Sequence, residues 1–97
     1  MKIQEYRVSD THSKPGILCT VMLPANCTIV KVGIQRSSHY IWAMSNSNES
    51  LVKRIFFYVH IGQEFPSDCS SYVGSYEVPV PGVSGSIITW HMFEFIA

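Results

Sequence analysis

The chain has 97 residues, enough for one domain with a modest hydrophobic core. It is 46% hydrophobic and 14% charged, which excludes a disordered chain, because disorder requires low hydrophobicity and high charge. Seven basic and seven acidic residues cancel, so the chain lacks the basic field of a duplex nucleic-acid binder. The low charged fraction favours a homo-oligomer, a dimer or tetramer, because a small monomer can hide little apolar surface.

The compartment can be predicted from the termini and the cysteines. The N-terminus has no apolar stretch typical of a secretion signal, and no segment approaches the roughly 20 apolar residues that cross a membrane. Cys19, Cys27 and Cys69 are odd in number and lack Cys-x-x-Cys spacing, which favours free thiols over a disulfide framework or a zinc site. We therefore expect a cytoplasmic protein without a membrane partner.

The first half of the chain predicts four strands separated by turn-forming residues: Ile3–Val8, Ile17–Leu23, Thr28–Arg36 and His39–Met44. The first is short and suits a sheet edge, and the third and fourth should form a hairpin. In the third strand, Lys31, Gly33 and Gln35 share one face. A glycine in mid-strand indicates that a ring, a ligand or another backbone comes close to it.

The second half predicts three more strands: Val52–Gly62, Tyr72–Val78 and Ser86–Ile96. The last is too bulky for a free edge and should lie inside a sheet. No segment has helical periodicity over three turns. The predicted fold is therefore all-β, a compact antiparallel sandwich or small barrel of six to seven strands, as a single domain over residues 1–97.

The segment 52–62 has two unusual faces. One is wholly apolar and is predicted to face the core: Ile55, Phe57, Val59 and Ile61. The other carries rings and cations: Arg54, Phe56, Tyr58 and His60. An ordinary half-buried strand places small polar or charged residues on its second face. This pattern predicts that the second face contacts a ligand or another subunit.

Motifs for catalysis are weak. The sequence contains no Walker loop, dinucleotide fingerprint or Gly-x-Ser-x-Gly elbow. His60 and His91 could meet across strands and serve phosphoester chemistry or a metal, but a third ligand is missing, and the alternative is that each histidine is a packed or surface residue. Cys69 has no neighbouring base or cation to activate it. We expect no enzyme activity, no metal and no cofactor.

Binding of a nucleotide fits the ring-and-cation face better. Stacking on an aromatic side chain is worth about 1–3 kcal/mol per base, and a charge-assisted hydrogen bond about 1.5–3 kcal/mol. If segment 28–36 is a neighbour of segment 52–62, its cation and amide join the same face. The predicted ligand-binding residues are Arg54, Tyr58, His60, Gln63, Gln35, Trp42, Lys31 and Phe56. A subunit interface is the alternative, since interfaces are also rich in aromatic residues and Arg. Both readings hold if the pocket lies between subunits. Trp42 and Trp90 each alternate with aliphatic neighbours, which favours a core position over a ligand platform for both.

The chain resembles a family of small phage-encoded all-β domains of unknown function. The matching segments are Glu5-Tyr6-Arg7-Val8, Met22-Leu23-Pro24, Val32-Gly33-Ile34-Gln35, Ile41-Trp42-Ala43, Tyr72-Val73-Gly74-Ser75 and Trp90-His91-Met92-Phe93-Glu94. Where relatives have Gly-x-Gly-His, this chain has His60-Ile61-Gly62-Gln63, so ligand preference should differ here.

The family is similar in turn to phage anti-CBASS sponge proteins, which bind a cyclic nucleotide immune signal without cleaving it. The resemblance implies a homo-oligomer in the cytoplasm of a bacterial host. In that hypothesis Arg54 and Lys31 neutralise phosphate, while Tyr58, Phe56 or Trp42 stack on bases. Polar edges would be read by Gln35, His60 and Gln63. The alternative is a protein-interaction module that binds a host or phage protein through the same face.

Overall fold

The computed structural model describes residues 1–11, 14–46, 48–65, 70–80 and 82–96. Those residues form seven strands: β1 (Lys2–Asp10), β2 (Cys19–Pro24), β3 (Thr28–Gln35), β4 (Ser38–Ser45), β5 (Leu51–His60), β6 (Ser70–Pro79) and β7 (Ile87–Phe95). All seven predicted strands are confirmed, with ends that differ by a few residues. Over the same residues there is no helix long and apolar enough to cross a membrane.

The strands form two antiparallel sheets. One has three strands in the order β1-β4-β3, and the other has four in the order β2-β5-β7-β6. The β3–β4 hairpin, the edge position of β1 and the internal position of β7 were predicted and are confirmed. The sequence left open whether β3 is a neighbour of β5. It is not, because β5 pairs with β2 and β7, while β3 pairs with β4 in the other sheet.

The two sheets close into a flattened barrel at both of their edges. Strand β3 lies beside β6, and β1 lies beside β2. The close approach of β3 to β6 depends on Gly74 of β6, because a Cβ at that position would lie 3.0 Å from Val32 Cγ2 of β3. Between the sheets, side chains from six of the strands form the core: Val8, Val21, Leu23, Val32, Ile41, Phe56 and Met92.

The faces of β5 are the main correction to the sequence-based reading. Phe56 and Tyr58, predicted to meet a ligand, point between the sheets and are 0% and 1% exposed. The opposite face is outer, yet Phe57 is also fully buried, because Phe65 from the following loop packs on it. Ile61, predicted to be core, is 81% exposed. Alternation therefore identified two faces correctly but not which one faces the other sheet.

Candidate functional site

The structure separates the eight predicted ligand-binding residues into three groups. Three lie between the sheets: Arg54, Phe56 and Tyr58. Three lie on the outer face of the three-stranded sheet: Lys31, Gln35 and Trp42. The last two lie where β5 ends: His60 and Gln63. In the described part of the chain these three groups lie apart from one another, and ligand binding by any of them stays a prediction.

Arg54 is held by an ion pair inside the barrel rather than aimed at a ligand. Its Nε and Nη2 donate hydrogen bonds to the two carboxylate oxygens of Glu94, each at 2.7 Å. Nη1 donates to Cys27 Sγ at 3.4 Å, and the guanidinium lies over the Phe56 ring. The Glu94 hydrogen bonds raise the pKa of Arg54 above its usual value. Because two parallel hydrogen bonds fix this guanidinium, Arg54 is a structural residue.

A buried aromatic and polar cluster lies beside the core, and sequence reasoning missed it. The His39 ring of β4 stacks on Tyr58 of β5, with centroids 3.6 Å apart. His39 Nδ1 is hydrogen-bonded to Tyr76 Oη at 2.7 Å, and Trp90 meets the His39 ring edge-to-face at 5.2 Å. Ser9 Oγ donates to Tyr58 Oη at 2.7 Å. Alternation along β4 could have predicted the burial of His39, because His39 is in the same odd-numbered series as the buried Ile41 and Ala43.

Burial sets the protonation of this cluster. It lowers the pKa of His39 to about 4, against the opposing field of Asp10. It also raises the pKa of Tyr76 above its usual value. His39 Nε2 is buried and has no hydrogen-bond partner among the described residues. His39 and Tyr76 are thus neutral near pH 7, and the His39 and Tyr58 side chains are closed to solvent, which suits a structural role for this pair.

The outer face of the three-stranded sheet carries rings and cations together. We call Lys31, Gly33, Gln35, Tyr40 and Trp42 the Trp42 face. The β3–β4 register pairs Lys31 with Trp42 and Gly33 with Tyr40, so these side chains share one side of the sheet. Lys31 Nζ lies 4.9 Å from the Trp42 ring centroid, a cation–π contact. The Trp42 ring covers Gly33, where a Cβ would lie 3.6 Å from it, so a ring does approach this glycine as predicted.

A groove runs beside the Trp42 face along the seam between β3 and β6. This seam groove has a volume of about 270 Å³, and its lining includes Lys31, Val73, Gly74 and Ser75. Both strands carry a bulge there, since Val30 is skipped in the β3–β4 register and Val73 in the β6–β7 register. Bulges and edge strands leave backbone N–H groups outside the sheet ladder. The groove therefore combines a lysine and a hydroxyl residue with the bulged edges of two strands.

His60 and Gln63 brace the turn after β5. The His60 backbone N–H donates to Gln63 Oε1 at 3.4 Å, and the His60 ring meets Trp90 edge-to-face at 5.4 Å. Gln63 Nε2 reaches Gly16, whose N–H donates to the Tyr58 carbonyl at 2.9 Å. The Gln63 side chain thus lies against the loop that contains Gly16.

The predicted meeting of His60 and His91 does not occur. In the β5–β7 register His60 is opposite Trp90, and His91 is opposite Val59, so the two imidazoles lie on opposite faces of the sheet. Within the described ranges, no three His, Cys, Asp or Glu residues are grouped to hold a metal ion. Cys19 and Cys27 are free thiols, as predicted, while His12 and Cys69 lie outside the described residues.

Comparison with known proteins places the chain in a family. No curated protein and no solved structure matches it. A family model described as "Domain of unknown function (DUF7352)" matches residues 12–96, which covers six of the seven strands. The chain therefore belongs to the DUF7352 family of domains of unknown function.

Proposed function

We propose that the protein binds a small cyclic nucleotide without cleaving it, and so sequesters an immune signal as a phage anti-defence sponge in the cytoplasm of its bacterial host. The proposed site is the Trp42 face together with the seam groove. One observation carries it: Lys31 lies over the Trp42 ring and also lines the groove. A single cation thus joins a surface for a base to a recess for a phosphate.

Each part of the site has a defined task. A base that stacks on Trp42 gains about 1–3 kcal/mol. Lys31 leaves the ring to pair with a phosphate in the groove, where Ser75 and the edge amides donate further hydrogen bonds. Gln35 lies on the same face by register and can donate to or accept from a base edge. Lysine, amide and hydroxyl groups in these positions bind and orient a phosphoester, and sequestration requires nothing more of them.

Oligomerisation is the second part of the proposal. On the outer face of the four-stranded sheet, Met22, Leu51 and Tyr72 are 47%, 56% and 55% exposed. Large apolar side chains on one exposed sheet face are typical of an interface. This face supports a homo-oligomer, a dimer or tetramer, and it equally favours the second candidate function, a module that binds a host or phage protein.

Calorimetry with cyclic dinucleotides and cyclic ADP-ribose isomers tests the binding directly, followed by chromatography of the recovered ligand. Lys31→Ala should weaken binding about 10- to 100-fold, the range expected for one charge-assisted hydrogen bond. Lys14→Ala is the matched control, because Lys14 is an exposed lysine in the segment before β2. Recovery of converted ligand would replace sequestration by catalysis. Equal binding by both variants, or no binding of any nucleotide, would refute the proposed site.

A further inference from the structure

A second concave feature lies at the end of the barrel where the β3–β4 and β6–β7 turns meet, away from the seam groove. We call it the end cavity. Its volume is about 340 Å³, within the range of about 300–1,000 Å³ typical of small-molecule sites. Apolar side chains from both sheets form its walls: Ile34 of β3, Val78 of β6, and Ile88 and Trp90 of β7. Thr11 and Ser37 add hydroxyl groups.

The lining determines the charge of what can bind. None of the described side chains in the lining is ionisable. A charged ligand there would lose part of its hydration without gaining an ionic partner from these side chains. An uncharged molecule loses far less on entry. The end cavity therefore selects against phosphates and carboxylates, in contrast to the seam groove.

Trp90 determines the shape of what can bind. Its ring is fixed perpendicular to Tyr58 and to His39, with centroids 5.4 and 5.2 Å away. A ring held in this way can receive a flat ligand without losing further side-chain freedom. Filled to the density of a protein interior, about 0.75, a cavity of 340 Å³ holds about 250 Å³ of ligand, or two to three fused rings.

The rim of the cavity contains strained backbone. Arg36 and Ser37 form the β3–β4 turn with φ values of 52° and 59°. A two-residue turn with two positive φ angles normally uses Asn-Gly or Gly-Gly, and other side chains cost about 1–2 kcal/mol per residue there. The Thr11 N–H donates to the Ser37 carbonyl at 2.9 Å, which holds the two rim residues together. Strain of this kind is concentrated at ligand-binding positions.

From these observations we propose that the end cavity binds an uncharged, flat heterocycle of two or three rings, which packs on Trp90 and hydrogen-bonds to the rim hydroxyls of Thr11 and Ser37. This site is separate from the proposed nucleotide site and has the opposite preference for charge. The affinity expected for a ligand of this size is on the order of 100 µM.

The test uses the Trp42→Phe protein, in which Trp90 is the only remaining tryptophan of the two. The probes are lumichrome and quinazolin-4-one, which are neutral, and quinoline-4-carboxylate, which is anionic. Equilibrium dialysis measures binding, and fluorescence reports on Trp90. We expect the neutral probes to bind and to change Trp90 emission, and the carboxylate to bind at least 10-fold more weakly.

Two variants fill the cavity from opposite sheets: Val78→Phe and Ile34→Phe. Each should weaken binding of the neutral probes at least 10-fold while the near-ultraviolet circular dichroism stays native. Ile3→Phe is the control, because Ile3 is exposed on β1 and does not line the cavity. Lys31→Ala should not affect these probes, so the two proposals can fail separately. Binding of the carboxylate as tight as that of the neutral probes would overturn the inference, as would unchanged binding in a folded cavity-filling variant or dialysis-detected binding without a Trp90 signal.

Discussion

The buried imidazole of His39 should make the stability of the fold depend on pH. In an unfolded chain its pKa is near 6.5, and burial lowers the pKa to about 4 in the folded protein. The folded state therefore binds fewer protons than the unfolded state between these values, and folding loses stability as the pH falls. The contribution of His39 is complete above pH 6.5 and is lost progressively towards pH 4.

The difference between the two pKa values corresponds to about 3 kcal/mol, at 1.36 kcal/mol for each pH unit. A domain of this size has about 5–15 kcal/mol of total stability, so the loss is a fifth or more of the whole. The full free-energy difference applies to His39 because its side chain is 0% exposed, so solvent does not screen its charge.

The variant to compare is His39→Phe combined with Tyr76→Phe. This pair removes both partners of the 2.7 Å hydrogen bond together with the unpartnered Nε2, and it keeps a ring to stack on Tyr58. Removing both partners of a buried hydrogen bond is close to neutral, so the variant should fold at pH 7. Urea unfolding, followed by tryptophan fluorescence from about pH 7 to about pH 4, gives the free energy of unfolding at each pH.

We expect the wild-type protein to lose about 3 kcal/mol more than the double variant over this range. His60→Gln is the control for loss of an imidazole, because the His60 side chain is exposed, and its curve should follow the wild type. Parallel curves for the wild type and the double variant would refute the assignment of His39 as a neutral buried base.

Three further substitutions test the contacts that hold the barrel. Arg54→Met should lower the free energy of unfolding by about 2–3 kcal/mol, because Glu94 would lose its bidentate partner. The double variant Arg54→Met/Glu94→Met should recover most of this loss in urea unfolding. Additive losses would contradict the pairing. Gly74→Ala should cost about 1–2 kcal/mol in thermal unfolding, because the added Cβ would crowd Val32 Cγ2, and Val32→Ala in the same chain should reduce this cost. Phe65→Ala should cost about 1–2 kcal/mol and increase binding of a hydrophobic dye, because it uncovers the outer face of β5; unchanged dye binding would show that this face is not covered by Phe65.

The strands were predictable because local signals define them. Alternating apolar residues mark each strand, and Pro and Gly in the intervening segments mark the turns. Both signals depend only on residues that are close together in the chain. The internal position of β7 was also predictable, since the bulky Trp90 and Phe93 require cover on both sides. Pairing between distant strands was not predictable, because no local signal indicates that β1 pairs with β4 or that β2 pairs with β5.

The site was less predictable than the fold, because a central strand is covered on both faces. Phe56 and Phe57 are adjacent and both fully buried, one by the other sheet and one by Phe65 in the next loop. Alternation can assign residues to two faces, but it cannot tell which face meets a sheet and which meets a loop. A ring and a cation do lie together on the outer face of the other sheet, where the exposed Lys31 contacts the half-buried Trp42.

This distinction changes which substitution can report on ligand binding. Arg54 was the obvious cation from the sequence, but its alanine variant would damage the Glu94 pair and the fold, so a loss of binding would have no clear cause. In the described part of the chain, the exposed Lys31 makes a cation–π contact with Trp42 worth about 0.5–1 kcal/mol, so its removal should leave the barrel intact. A nucleotide that binds wild-type protein and not a folded Lys31→Ala variant would therefore identify the Trp42 face. If nucleotide binding is lost in the Arg54→Ala variant but kept in the Lys31→Ala variant, the result would indicate that binding requires an intact barrel.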